Sequence, residues 1–232
     1  MITYDKLRLF AYSNDKLIKG DIRGLVVDFQ GLGFNGILDE DPEDGLYFAE
    51  RGIVYVIPYV DPWAWMNRVA VLTTDSIISA LEERYGKKLR VCSTGGSMGG
   101  QEALIFCLYS SKNVVSCVAN CPVCDMVFHI TERDDLPRTM LAAFGGTEDF
   151  DAELRSRSPL HIADRLPKIP YTVFHCEDDS AVNIDAHSVK LVERMRELGH
   201  DVTFVRVPGR GHCDLDDASE KQFTEAVLSS FR

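Results

Sequence analysis

The segment around Ser97 has the residues and the spacing of a catalytic nucleophile. Its sequence is Gly95-Gly96-Ser97-Met98-Gly99, which fits the pattern G-x-S-x-G, and a further glycine stands at position 100. In that pattern the serine lies on a turn between a strand and a helix that is so tight that its neighbours must be small. An apolar stretch at 89–92 and a helical pattern at 101–109 flank the motif, so we predict a strand, a strained turn and a helix. The alternative is a glycine-rich loop that only packs a helix against a strand.

A serine hydroxyl is a weak nucleophile at neutral pH, so it needs a base, and the base needs a carboxylate to orient it. In one recurring arrangement on α/β proteins, the three residues occur in the order serine, acid, histidine. Asp179 follows a predicted strand at 171–176, and His212 follows the last predicted strand at 202–207. We therefore predict that Ser97 is the nucleophile, His212 the base and Asp179 the acid.

Two other carboxylates are alternatives to Asp179. Asp178 is the preceding residue, and only one of the two can point into the site. Asp125 comes after the previous predicted strand, a position where some hydrolases have the acid. For His212 the alternative is a histidine in a surface loop without a catalytic role.

The tetrahedral intermediate of acyl transfer needs two fixed N–H donors, each typically worth about 3–4 kcal/mol. The amide of Met98, directly after the nucleophile, is the first predicted donor. The amide of Leu32 is the second, because the loop Gln30–Gly33 follows a predicted strand at 24–29 and has glycines that let an amide turn inward. A plain tight turn is the alternative for this loop.

These residues need a parallel sheet that brings the ends of several strands together. Short, nearly continuous apolar runs alternate with segments of helical spacing, which predicts strands covered on both faces and βαβ units. We therefore predict one α/β domain over residues 1–232, with a mostly parallel central sheet, helices on both faces and the site at the carboxyl ends of the strands. The first twenty residues are expected to form a β-hairpin or an irregular edge. Residues at about 125–166 are expected to form a small, lid-like helical insertion, and whether it moves as a lid is left open.

The composition predicts a protein of a reducing compartment, and the predicted serine, histidine and aspartate imply a small-molecule substrate and no metal or cofactor. Acidic residues outnumber basic residues by 36 to 25, which argues against nucleic acid or an anionic membrane as a partner. The N-terminus carries charges throughout and no apolar run has the length of a transmembrane helix, so a cytoplasmic location is expected. Seven cysteines are expected to be free thiols. Cys121 and Cys124 have the C-x-x-C spacing of a redox pair or of half a zinc site. Because no second pair of ligands at such spacing accompanies them, we interpret them as free thiols at the end of a strand. The oligomeric state is left open.

Three motifs resemble those of a known enzyme family. Residues 95–100 resemble a G-G-S-x-G-G elbow, and Pro122–Asp125 resembles a P-V-T-D stretch. Ser158–Leu160, followed by His175–Val182, resembles an S-P-L … H-G-x-x-D-x-x-V run. On these motifs the chain from Gly24 onward resembles an α/β-hydrolase of the prolyl-oligopeptidase-like and acyl-esterase branch, whose esterases include acetyl-xylan and cinnamoyl types.

The resemblance implies the α/β-hydrolase fold and favours Asp179 over Asp178 as the acid. The aspartate of the P-V-T-D stretch is usually not the acid in that branch, which counts against Asp125. The chain departs from the family pattern at Gln30, where many members have histidine, and at Cys176, where they have glycine. The first departure concerns the oxyanion loop and the second the packing of a strand.

Aromatic side chains near the predicted site are candidates for substrate binding. Trp63 and Trp65 lie in a loop after a predicted strand and would form a flat apolar wall for a sugar ring or an aromatic acyl group, with burial in the core as the alternative for each. Phe34 and Phe128 are expected to complete the pocket.

We therefore expect a serine hydrolase of the carboxylesterase type, which cleaves a small acyl or carbohydrate ester through an acyl-enzyme intermediate. Two alternatives are open. The first is a short-peptide serine peptidase of prolyl-oligopeptidase type. The second is a non-catalytic protein that binds a ligand in a hydrolase-fold pocket.

Overall fold

A seven-stranded sheet forms the centre of the computed structural model, which describes residues 2–232. The strands are Ala11–Ser13 (β1), Gly24–Phe29 (β2), Ile53–Pro58 (β3), Val91–Gly96 (β4), Val114–Asn120 (β5), Tyr171–Cys176 (β6) and Val202–Val207 (β7). They stand in the order β1-β3-β2-β4-β5-β6-β7, and every neighbouring pair is parallel except β1 and β3. The predicted mostly parallel sheet is confirmed.

Helices cover both faces of the sheet. They are Glu43–Ala49 (α1), Arg68–Tyr85 (α2), Met98–Tyr109 (α3), Met126–His129 (α4), Leu136–Phe144 (α5), Phe150–Ser156 (α6), Lys190–Glu197 (α7) and Asp217–Ser229 (α8), with a π-helical turn at Asp185–Val189. Successive residues of a strand point to opposite faces. Leu25 and Val27 of β2 therefore pack in one core with α2, α3 and α7, whereas Val26 packs in the other with α1 and α8. Within residues 2–232, none of the helices combines the length and the apolar character that crossing a membrane requires.

The segment 125–166 contains three short helices, α4 to α6. A third apolar cluster joins it to the rest of the fold, because Trp65 and Met98 pack there with Leu136 and Met140 of α5. The indole N–H of Trp65 also donates to Oγ1 of Thr139 at 3.2 Å.

The N-terminal residues form an irregular edge, which is one of the two structures expected for them, and not a β-hairpin. Tyr4–Leu9 is a 3-10 helix, and a second 3-10 turn at Asp15–Leu17 follows β1. The Asn14 side chain fixes this segment, because its amide group donates to one carbonyl of α1 and one of β3 and accepts an N–H of β3. Asn14 thus docks β1 onto the edge of the sheet through long-range contacts that local turn propensity does not reveal.

Candidate active site

Ser97 stands at the turn between β4 and α3. Its backbone has φ 60° and ψ −122°, a conformation that residues with a side chain rarely adopt. A β-carbon added at Gly95 would lie 2.5 Å from the carbonyl oxygen of Gly99, and one added at Gly99 would lie 1.9 Å from that of Phe29. These approaches explain why glycine occupies the positions two before and two after the serine. The half-buried serine thus lies at the N-terminus of α3, where the helix dipole favours negative charge.

His212 and Asp179 meet in the loops that follow β7 and β6. Nδ1 of His212 donates to Oδ2 of Asp179 at 2.6 Å. The Asp179 side chain is fully buried, and 28% of the His212 side chain is exposed. Burial lowers the pKa of the His212 imidazole, but the hydrogen bond to the Asp179 carboxylate and its charge outweigh burial and raise the pKa above its ordinary value. Because the carboxylate accepts from Nδ1, Nε2 is the atom of His212 that can take up a proton.

Donors from its own loop hold the Asp179 carboxylate. Its Oδ1 accepts the backbone N–H of Ala181 at 2.8 Å and that of Val182 at 2.9 Å. Nε2 of His175 lies 3.4 Å from Oδ2. Burial raises the pKa of this carboxyl, but the hydrogen bonds from His175, His212 and the Val182 amide outweigh burial and hold the pKa well below its ordinary value. Asp179 is therefore a fixed negative charge behind the imidazole.

The two alternative acids have other surroundings. Asp178 is exposed to solvent. Asp125 caps the N-terminus of α4, where its Oδ1 accepts the N–H of Phe128 at 3.1 Å. The geometry therefore favours Asp179 as the partner of His212.

A cleft of about 440 Å³ opens beside these groups. Its lining consists of Asp28, Phe29, Gln30, Gly31, Leu32, Gly96, Ser97, Arg133, His212 and Cys213. Ser97 and His212 both line this cleft. Among the described residues, no hydrogen bond joins the Ser97 hydroxyl to the His212 imidazole. Nε2 of His212 instead lies 3.8 Å from Sγ of Cys213. Such nucleophile–base contacts are often long in the free enzyme and shorten when substrate binds. The arrangement can therefore perform acyl transfer to the serine.

The two amides predicted to bind an oxyanion have no protein acceptor of their own. Leu32 lines the cleft, and its amide donates to no other group of the described chain. The amide of Met98 is the first N–H of α3, a position that has no acceptor within the helix. Gln30, at the position where the resembled family often has histidine, donates to Asp28 at 3.1 Å. Both amides are available to a substrate, and their role stays a prediction.

The four aromatic side chains predicted to bind substrate differ in their placement. Phe34 lines a second cavity of about 240 Å³, which adjoins the cleft through the loop after β2. Trp63 and Phe128 are 40% and 42% exposed and, in the part of the chain described, line neither cavity. The prediction for Trp65 is wrong, because its side chain is 1% exposed and packs against the insertion. Its apolar area and its satisfied N–H make it part of the core.

Arg133 and Cys213 also line the cleft, and neither is among the site residues predicted from sequence. Nε and one terminal nitrogen of Arg133 donate to the two carboxylate oxygens of Asp135 at 3.0 and 2.6 Å, which fixes the guanidinium at the cleft. Cys213 packs against the nucleophile turn, because a β-carbon at Gly96 would lie 3.2 Å from its Sγ. The only sequence signal for either residue is that Cys213 directly follows His212.

The sequence of this chain matches that of a known enzyme family. The sequence model of the prolyl oligopeptidase family matches residues 75–231, a range that contains Ser97, Asp179 and His212. A relative from Bacillus subtilis (strain 168), named uncharacterized peptidase YtmA, is 31% identical over 113 residues, which are 48% of this chain and 43% of the relative. The chain thus spans less than half the length of that relative.

Two solved structures have the same fold. The crystal structure of puromycin hydrolase superposes with a TM-score of 0.72 at 22% identity, covering 92% of this chain and 34% of that one. The structure of esterase PE8 superposes with a TM-score of 0.60 at 16% identity, covering 93% of this chain and 95% of that one. These likenesses, with the mostly parallel sheet, identify the α/β-hydrolase fold that the sequence predicted.

Proposed function

Because this chain belongs to the prolyl oligopeptidase family, we propose that it is a serine hydrolase specialised as a peptidase, which cleaves amide bonds of short peptides. The observation that carries the proposal is the 2.6 Å hydrogen bond between His212 and Asp179 in a cleft that Ser97 shares. The relative YtmA is named as a peptidase, which supports peptides over the esters expected from the sequence.

In the proposed mechanism the Ser97 hydroxyl attacks the carbonyl carbon of the peptide bond. Nε2 of His212 takes the hydroxyl proton, and Asp179 stabilises the imidazolium that forms. The amides of Leu32 and Met98 bind the oxyanion of the tetrahedral intermediate. His212 then donates its proton to the leaving amine, which departs and leaves an acyl group on the serine. Water activated by the same imidazole hydrolyses this acyl-enzyme and restores the free hydroxyl.

Three features of the cleft support a short peptide as the substrate. Its volume of about 440 Å³ suits a few residues, and the adjoining cavity of about 240 Å³ offers the ring of Phe34 to an apolar side chain. Arg133 is paired with Asp135, and its remaining N–H groups suit a peptide carbonyl or carboxylate as acceptors. These roles are part of the proposal.

Cleavage of small carboxylic esters is the second candidate. The same acyl-enzyme chemistry applies, and esters react more readily than amides. Esterase PE8, which is similar in fold, has nearly the same extent as this chain, so an enzyme of this size accommodates the candidate.

The two activities can be separated by assaying peptide p-nitroanilides and p-nitrophenyl acetate side by side. We expect turnover of at least one short peptide, loss of all turnover in Ser97→Ala, and covalent labelling of Ser97 by a fluorophosphonate probe. Ser229→Ala, which removes an exposed hydroxyl on α8, is the matched control and should behave like the unaltered protein.

Turnover of the ester without any peptide would replace the proposed activity by the second candidate. Serine catalysis would be refuted if the probe does not label Ser97 and Ser97→Ala keeps full activity. It would also be refuted if the probe does not label Ser97 and the protein cleaves neither substrate. In that second case a non-catalytic ligand-binding protein becomes the better interpretation.

A further inference from the structure

Two cysteines lie beside the imidazole of His212. Sγ of Cys121, Sγ of Cys213 and a ring nitrogen of His212 all lie within 4.8 Å of one another. The contact between Cys213 Sγ and His212 Nε2 measures 3.8 Å. Ligand atoms around a tetrahedral zinc ion are separated by similar distances, because Zn–S and Zn–N bonds are about 2.3 and 2.0 Å long. Two thiolates and one imidazole form a donor set that soft divalent metals prefer.

From this arrangement we infer that Cys121, Cys213 and His212 form an inhibitory binding site for a thiophilic divalent cation, principally Zn²⁺. The metal site stands on the geometry of these three residues alone. Its inhibitory effect rests on the proposed function, in which Nε2 of His212 takes the proton from Ser97.

The imidazole is already oriented as a metal ligand. Nδ1 of His212 donates to Asp179, so the lone pair of Nε2 is directed away from the carboxylate and is available. A carboxylate behind a metal-binding histidine fixes the tautomer and makes the ring a better ligand. The arrangement that suits a general base therefore also suits zinc.

Two backbone amides hold the Cys121 sulfur in place, although the hydrogen bond with the Cys213 thiol and burial raise the pKa of Cys121 above its ordinary value. The backbone amides of Cys176 and Cys213 both donate toward it at 3.4 Å. Such N–H groups stabilise negative charge on sulfur and hold the side chain in place. Cys121 itself is fully buried, whereas Cys213 and His212 line the cleft, so an ion can enter from the cleft side.

Backbone strain is concentrated at the same place. Within residues 2–232, three of the five non-glycine residues with positive φ are Ser97, Cys121 and Cys213, the two cysteines at 44° and 56°. The left-handed conformation is unfavourable for cysteine and persists only where the surroundings enforce it. The fold therefore holds both sulfurs beside the nucleophile turn.

Metal binding would release two protons from the thiols to solvent. The resulting unit of Zn²⁺, two thiolates and one neutral imidazole has no net charge, which lowers the cost of burying it. A fourth position remains for water or a substrate group from the cleft. Because the ion would occupy the lone pair of Nε2, His212 could no longer accept the proton of Ser97.

A second cluster, His129, Glu132 and His187, also has three donors in reach, but its hydrogen bonds argue against a metal. Nδ1 of His187 accepts the backbone N–H groups of Cys124 and Asp125 at 3.1 and 3.2 Å. Its Nε2 must then carry the proton, which it donates to Glu132 at 2.9 Å. A metal would have to displace that proton, so this cluster is a satisfied hydrogen-bond network.

The test measures metal binding apart from activity. The chain is reduced with a phosphine, freed of metal, and titrated with Co²⁺, whose thiolate complexes absorb in the near ultraviolet. We expect this absorption in the unaltered protein and in Ser97→Ala, and its loss in Cys213→Ser. Two controls should retain it: Cys107→Ser, which alters a thiol on α3, and Glu132→Gln, which alters the second cluster.

Inhibition is then measured with Zn²⁺ on whichever substrate the protein cleaves. We expect inhibition of the unaltered protein that EDTA reverses, and at least a tenfold higher Zn²⁺ requirement in Cys213→Ser, each variant being compared with its own metal-free rate. Cys121→Ser should behave in the same way. If that buried substitution prevents folding, Cys213→Ser decides the matter.

Absence of the cobalt–thiolate absorption, or its persistence in Cys213→Ser, would overturn the inference. Inhibition that requires an oxidant and not a metal would also overturn it, and would identify a disulfide between the two cysteines instead. If the protein cleaves no substrate, the proposed function fails, while the cobalt titration still decides whether the metal site exists.

Discussion

Replacing Asp179 by asparagine tests the site at the contact on which the proposed mechanism depends. Oδ1 of Asp179 accepts the amides of Ala181 and Val182 at 2.8 and 2.9 Å. In Asp179→Asn the amide oxygen must take this position, because an NH₂ group there would face two N–H donors. The NH₂ group is then left opposite Nδ1 of His212, at the position now occupied by Oδ2, 2.6 Å from that nitrogen.

This orientation reverses the tautomer of His212. An NH₂ group donates to Nδ1, so the ring proton moves to Nε2, the atom that must accept the proton of Ser97. Loss of the correct tautomer in a serine–histidine–acid site typically lowers kcat about 10⁴-fold, which is about 5.5 kcal/mol of transition-state stabilisation. Because the two amide contacts survive, we expect the fold to persist with a stability loss of about 1–3 kcal/mol from the charged hydrogen bonds.

The assay compares kcat/KM and the thermal unfolding midpoint of Asp179→Asn with those of Asp178→Asn. Asp178 is the exposed neighbouring carboxylate, so its substitution makes the same chemical change outside the site. We expect Asp178→Asn to stay within about twofold of the unaltered protein, in line with the small effect of surface substitutions. A loss below tenfold in a folded Asp179→Asn, or an equal loss in both variants, would refute the assignment of the acid.

Two further predictions concern α3 and its contacts. Burial raises the pKa of Glu102 from 4.5 to about 8, although a hydrogen bond from the Met66 amide favours the charged form. The folded state therefore binds a proton at Glu102 more tightly than the unfolded state does. The stability that this proton contributes is present below pH 4.5 and is lost as the pH rises toward 8. In urea titrations the free energy of unfolding should therefore fall by up to about 1.4 kcal/mol per pH unit in that window. Glu102→Gln should reduce this dependence on pH. The same dependence in Glu102→Gln and the unaltered protein would contradict the assigned effect of burial. In Gly99→Ala the added carbon would lie 1.9 Å from the Phe29 carbonyl oxygen, so we expect at least a 100-fold loss of kcat/KM and a stability loss of about 1–3 kcal/mol. Gly146→Ala, where an added carbon meets nothing within 4 Å, is the control. Equal effects in both variants would show that the contact between Gly99 and the Phe29 carbonyl does not account for the loss.

The interior elements of this fold could be predicted closely from sequence, whereas its first residues could not. The strands at 24–29 and 171–176 have the bounds that their apolar patterns indicated, because a strand covered on both faces needs a nearly continuous run of apolar residues. From sequence the N-terminal edge could not be distinguished from a hairpin, because β1 pairs with β3 and Asn14 holds it there through contacts with distant backbone groups. Local propensity contains no information on such pairing.

The sequence by itself determined the nucleophile turn and the loops that must meet it. G-x-S-x-G glycines reflect a steric need that acts over a few residues, and the positions of Asp179 and His212 after strands follow from the parallel order of the sheet. Their roles in catalysis stay proposals.

Only the tertiary structure decided which side chains share the cleft and which do not. It buries Trp65 against the insertion, brings Arg133 to the cleft, and sets Cys121 beside Cys213 and His212. These contacts join residues that are far apart in the chain, and they arise from how strands and helices pack rather than from any spacing rule. A short motif can therefore be recognised in sequence, whereas the neighbours that adjust or block its chemistry emerge only when the sheet is assembled.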